Sequence, residues 1–190
     1  MNRTWQVVLI ASTLDLSWLG MQAAHEAGHV LLAWAGGETV HRVILHPLTV
    51  SRTDATHDKH PLLVVWGGPV LGSILPLGAL GLAGLLRVSW SYLLRFFAGF
   101  CLVANGAYLA AGSLVGVGDA DDLARFGTPR WLPIAFGLVT APVGLRLWHG
   151  LGPSFGLGVS GGRVGRRAAL GTAAALTMVV LVELFVGRLD

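Results

Sequence analysis

Only one cysteine, Cys101, occurs in the chain, and it lies inside an apolar run. A disulfide framework and a thiolate zinc site are both excluded, so any bound metal must be held by nitrogen and oxygen donors. Charge is scarce too: Asp, Glu, Lys and Arg make up 12% of the 190 residues, about half the share usual in soluble domains. With 54% hydrophobic residues and a mean hydropathy of +0.68, the composition is that of a membrane protein. The formal net charge of +3 comes from arginines scattered through the connections. No basic face forms, and no nucleic-acid partner is expected. The apolar N-terminal stretch is interrupted by Asp15 and Trp18, and no small-residue cleavage site follows it. It is expected to stay in the mature protein. No internal repeat divides the chain.

What is present in abundance is apolar sequence in runs. A helix needs roughly 20 apolar residues to cross about 30 Å of hydrocarbon, and several runs approach that length. Residues 5–37 as one helix would be roughly 48 Å long, too long for an untilted span. This region is expected either to break near Asp15 or to lie partly at the interface, with 17–36 the better span and Gly36-Gly37 as its C-cap. Next, Val40, Val43, Ile44, Leu45, Val50, Val64 and Val65 supply strand formers around a polar middle at 51–60, which reads as a β-hairpin. Spans follow at about 66–86, then over a segment carrying Arg95 and Asn105, then at 131–148 and 168–186. Tryptophans bracket the 131–148 run as interfacial anchors would, and Arg163, Arg166 and Arg167 precede the last one. The expected fold is one all-α polytopic domain over 1–190, integral to a lipid bilayer. It has about five or six transmembrane helices and a small β-hairpin after the first of them.

Within that first span the stretch "AAHEAGHVLLAWAGG" sets His25 and His29 four residues apart. Their imidazoles leave one helix face a turn apart and can share a metal ion. Glu26 lies about 100° round the helix from His25 and three residues from His29, which puts its carboxylate beside the metal and not on it. Uncoordinated water is a poor nucleophile at neutral pH, whereas zinc with an open position lowers its water's pKa to about 7. Glu26 is then placed to take the proton and return it to a leaving amine. The bland alternative is a pair of core histidines bonded between helices, with Glu26 paired to an arginine. It is disfavoured because an ionisable group in hydrocarbon costs roughly 2.5–3.5 kcal/mol even on the lenient scale.

A third ligand is sought among Asp119, Asp121 and Asp122, the acidic cluster at the end of an apolar run. Asp119 is preferred because Gly116 and Gly118 free the backbone to turn its carboxylate inward. Asp122 and Asp121 are the alternatives, and all three also suit the first turn of a short helix ending at Gly127. Asn105, in mid-span, reads as a hydrogen-bond partner for substrate backbone or as interhelical glue.

"HEAGHVLLAWAGG", "VILHPLTVSRT", "VVWGGPVLGSILPL", the asparagine-bearing span and "GVGDADDL" together resemble the site-2 protease family of intramembrane zinc metalloproteases, small bacterial members above all. The resemblance covers roughly the first two thirds of the chain. It implies Zn2+ held by His25, His29 and an aspartate of the third core helix, with Glu26 as general base and a transmembrane protein as substrate. It also implies a bacterial cytoplasmic membrane as the location. Gly67, Gly68 and Pro69 match the segment that breaks the neighbouring helix near the active site in such proteins, and Asn105 matches an oxyanion-binding asparagine. The chain departs from the family's commoner pattern: no proline stands near Asn105, and Ala120 follows Asp119 where glycine is usual.

Other polar groups read more plainly. Asp54, His57, Asp58 and His60 form a solvated hairpin tip, His41 and His46 face water or the membrane surface, and Asp15 lines a water path. Glu183, Arg146 and His149 read as interface residues. An exposed strand edge near 40–50 suits an extended, unwound peptide. The rival functions are a divalent-metal binder or carrier using the same histidines, and an inactive scaffold that packs through Gly68 and Gly72.

Overall fold

The computed structural model describes residues 3–186. Helix α1 (Thr4–Ala35) leads into β1 (Val40–Ile44) and β2 (Arg52–Ala55). Then come α2 (Pro61–Leu85), α3 (Ser91–Val115), the short α4 (Asp119–Arg125) and α5 (Trp131–Trp148). Two 3-10 turns, Gly152–Phe155 and Gly158–Ser160, precede α6 (Arg166–Val186). All but α4 of the α-helices are long and apolar enough to cross a membrane, which makes five. The outward faces agree: Leu138, Val139, Met178, Leu181 and Phe185 are exposed, while Ser12, Asn105 and Thr172 are buried. That inversion suits a surface solvated by lipid.

Helix α1 runs unbroken through Asp15, which points outward. At 1.5 Å per residue it is roughly 48 Å long, more than the thickness of a bilayer's hydrocarbon. It ends at Gly36, and Gly37 takes φ +71°, the left-handed turn expected after a helix. Ser12 of α1 bonds Thr172 of α6 at 2.6 Å. At the opposite side, Gly28 of α1 meets Gly67 of α2 so closely that a Cβ on either would strike the other's backbone oxygen. Helix α3 lies against α5 through Gly99, Gly106, Gly137 and Gly144, small residues that let backbones approach where hydrophobic driving force is absent.

The hairpin differs from expectation. β1 and β2 pair antiparallel, Val43 opposite Thr53 and Ile44 opposite Arg52, so β2 falls within the polar middle. Val64 and Val65 belong to α2 and are buried in the bundle. A short β-branched run fits a helix or a strand equally until its neighbours are known, and here Pro61 at the first helical turn decides it. The helix α2 also continues through Gly67, Gly68 and Pro69 without a break. Pro69 removes one backbone donor, and its side chain is fully buried. Glu183, read as an interface residue, is instead buried on the inner face of α6, whereas Arg146 and His149 are exposed.

Glu38 fastens the hairpin to the bundle. Its carboxylate accepts hydrogen bonds from the Thr56 hydroxyl and from the backbone N–H groups of Lys59 (2.6 Å) and His60 (2.9 Å). The Thr56 bond first, then the backbone donors, hold the carboxyl down to about 2 from its usual 4.5. A carboxyl lowered on folding contributes stability that is complete above its unfolded value and is lost as pH falls through the folded one. Hairpin amides are therefore expected to lose hydrogen-exchange protection as pH drops from about 4.5 towards 2. The loss should be already present at neutral pH in Glu38→Ala. Equal protection in both proteins would show that Glu38 does not hold the hairpin.

Candidate metal centre

His25 and His29 leave α1 one turn apart, and their Nε2 atoms lie 3.0 Å from each other. Asp119 reaches them from the start of α4, with Oδ2 2.9 Å from His25 Nε2 and 3.4 Å from His29 Nε2. In a tetrahedral zinc site with bonds of about 2.0–2.1 Å, donor atoms stand roughly 3.3 Å apart, so this spacing fits one ion. Among the described residues, these three form the one group of His, Cys, Asp and Glu side chains gathered this closely.

The other ring nitrogens decide which lone pairs are available. His29 Nδ1 lies 2.8 Å from the Val64 carbonyl, an acceptor, so Nδ1 carries the proton. His25 Nδ1 lies 2.7 Å from Asn105 Oδ1. That amide is oriented by its own Nδ2, which donates to the Cys101 carbonyl at 2.9 Å. His25 Nδ1 must therefore be a donor as well. As neutral imidazoles the two rings would aim Nε2 lone pairs at a carboxylate oxygen, an arrangement that repels itself unless a metal ion or a proton sits among the three atoms.

Room for an ion comes from α2. A Cβ at Gly68 would fall on His29 Nε2 and within 2.7 Å of His25 Nε2. Gly67 serves packing against Gly28, while Pro69 offers its carbonyl to the Ser73 hydroxyl. The turn into α4 is likewise special. Gly116 caps α3 at φ +72°, and Gly118 adopts φ +61°, ψ −151°, a region open in practice only to glycine. Ala120 and Leu123 anchor α4 in a cluster with Val65 and Leu109. Asp121 turns away to pair with Arg125 at 2.6 Å, and Asp122 lies 3.5 Å from the same guanidinium.

Glu26 is buried beside the cluster and takes no part in it. Its two oxygens accept hydrogen bonds from Ser51 Oγ and Thr53 Oγ1, each at 2.7 Å. Gln22, one turn earlier, accepts the Ser51 N–H at 2.9 Å. Sequence reasoning missed Ser51, Thr53 and Gln22, although Ser51 and Thr53 are two apart, the spacing of one strand face. Tyr108, also missed, stands edge-on to His25 with ring centroids 5.8 Å apart, and its oxygen accepts the Asp119 N–H at 3.1 Å.

These groups line a cavity of about 830 Å³ between α1, α3, α4 and the hairpin. Ser51, Arg52, Thr53, Asp54 and Ala55 form one wall, so β2 and its approach border the cavity. His41 and His57 also line it, and His57 stacks on Phe126 at 5.7 Å. Asp54 pairs with Arg52 at 3.0 Å. The hairpin-tip residues Asp54, His57, Asp58 and His60 therefore make no second metal cluster among the described residues. No protein-family model, curated protein or solved structure matches this chain.

Proposed function

We propose that this protein is an intramembrane zinc metalloprotease, resembling site-2 proteases, that hydrolyses peptide bonds within or beside the transmembrane segment of another protein. The carrying observation is the convergence of three lone pairs from His25, His29 and Asp119 next to a carboxylate that is not a ligand. A carrier would need those donors but has no use for an oriented base.

Zinc, when bound, supplies Lewis-acid polarisation of water and of the peptide carbonyl. The protein's own groups do the rest. Asn105 and the Val64 carbonyl keep the two imidazoles in one tautomer and one orientation. Glu26 takes a proton from the attacking water and passes it to the leaving nitrogen. Ser51 and Thr53 use one lone pair on each carboxylate oxygen, which fixes the group and leaves the remaining lone pairs for water. A transmembrane helix hides its amides, so the substrate must unwind locally, and the β2 wall offers backbone groups to the extended segment. The membrane in question is read as a bacterial cytoplasmic membrane on the same resemblance.

Purified chain in detergent is expected to carry stoichiometric zinc. It should also cleave a randomised pool of single-span polypeptides, read by mass spectrometry, and lose both properties on chelation. Asp119→Ala should lose the metal and the activity together. Asp121→Ala and Asp122→Ala should keep both, since those carboxylates serve Arg125. Chelator-resistant cleavage, or metal retained without Asp119, would defeat the assignment.

A further inference from the structure

We propose that Tyr108 is a further catalytic residue of this hydrolysis, its phenolic O–H donating to the scissile carbonyl oxygen as that oxygen gains negative charge. The inference rests on the metalloprotease reading. When water attacks a peptide carbonyl, a C–O bond forms and the C=O π pair moves onto oxygen. A pre-positioned donor for that oxyanion is among the largest contributors to such catalysis.

The residue expected to supply the donor on resemblance, Asn105, is occupied mainly in holding His25. Its Oδ1 receives His25 Nδ1–H and one of its two Nδ2 hydrogens serves the Cys101 carbonyl of its own helix, which leaves a single buried N–H. The hydroxyls of Ser51 and Thr53 are spent on Glu26, and Gln22 stands with them on the β2 side. Arg52 is paired with Asp54.

Tyr108 differs from all of these. Its oxygen accepts the Asp119 N–H at 3.1 Å, which pins the oxygen at the first residue of α4 without using its hydrogen. Among the described residues that O–H donates to none. The local backbone is shaped around it, because any Cβ at residue 118 would overlap the phenol oxygen, and Gly118 has none. The ring packs edge-on against His25 with an interplanar angle of 80°, which limits its rotation. Glu26 faces β2, whereas Tyr108 comes from α3 on the Asp119 side, and both line the cavity. A peptide carbon held between them receives the water from the Glu26 side and turns its oxygen towards the phenol. Collapse of the oxyanion re-forms the C=O bond and breaks C–N as Glu26 returns the proton to nitrogen. Tyr108 keeps its own proton throughout.

The test compares wild type, Tyr108→Phe and Glu26→Gln, each zinc-loaded, on the same polypeptide pool. Binding of a peptide phosphonamidate, whose tetrahedral P–O⁻ group imitates the oxyanion, is measured in parallel. Tyr108→Phe keeps the ring and removes only the hydroxyl. It is expected to lower kcat by about 10²–10³-fold, with KM and zinc content unchanged and phosphonamidate binding weakened by more than tenfold. Wild-type rates in Tyr108→Phe would overturn this role and leave the protease reading standing. Loss of zinc in step with activity would also overturn it, since the phenol would then act only by holding Asp119. A wild type no faster than Glu26→Gln would end the protease reading and this inference together.

Discussion

Glutamine at position 26 is expected to cut hydrolysis by about 10²–10⁴-fold, the usual worth of a positioned general base, while zinc content stays at the wild-type level. The separation of the two effects follows from geometry. Glu26 contributes no atom to the cluster of His25, His29 and Asp119, so removing its charge leaves the candidate metal-binding group in place. Its carboxylate is bonded to two hydroxyls, Ser51 Oγ and Thr53 Oγ1. A hydroxyl can reverse from donor to acceptor by rotating, so a carboxamide is accommodated without leaving a buried orphan. What is lost is the ability to accept a proton. The check is a steady-state rate beside metal analysis of the same sample. Near-normal turnover in Glu26→Gln would take the residue out of the chemistry, and loss of zinc would make it a ligand.

The second large effect comes from a methyl group. Gly68→Ala is expected to weaken zinc binding by more than about 100-fold, beyond the 10–100-fold cost of losing an orienting partner, and to abolish hydrolysis with it. A Cβ at this position occupies the place of His29 Nε2 and crowds His25 Nε2. The imidazoles can swing aside more easily than α2 can move, so the fold should survive and the ligand geometry should not. Gly67→Ala makes the contrast. Its Cβ meets the Gly28 backbone oxygen at 2.6 Å, and no side chain can yield there. Forcing α1 and α2 apart should cost about 1–3 kcal/mol, visible as a lower unfolding midpoint. Tight zinc binding by Gly68→Ala would show that the ion does not sit between the two imidazoles and α2.

Some of this arrangement could be read directly from the chain. The pairing of His25 with His29 needs only four residues of helix, and helix is what an apolar run of that length forms. The turn at Gly116 and Gly118 was similarly local, because positive φ is a property of the residue itself. The strand assignment of Val64 and Val65 failed for the converse reason: a short β-branched stretch carries no period that separates strand from helix. Of the two readings of the first apolar run, a break near Asp15 or a first part lying at the interface, the break did not form. One exposed carboxylate leaves the backbone hydrogen bonds of α1 intact.

Ser51, Thr53 and Tyr108 have no local signature of their role. A hydroxyl or a phenol is commonplace, and its meaning depends on which element faces it across the bundle. Asn105 carries the same lesson, since its amide lies against His25 only because α1 and α3 pack in one rotation. By itself, then, the sequence determined the apolar helices, the paired histidines with a neighbouring carboxylate, and the glycines that allow a sharp return. Tertiary structure decided that Asp119, and not the alternatives Asp121 and Asp122, joins the two histidines, that hydroxyls of Thr53 in β2 and of Ser51 just before it hold Glu26, and that Tyr108 has a hydrogen to give. Periodicity and backbone freedom act within a few residues, whereas hydrogen-bond partners eighty positions apart, as for His25 and Asn105, are chosen by how whole helices pack.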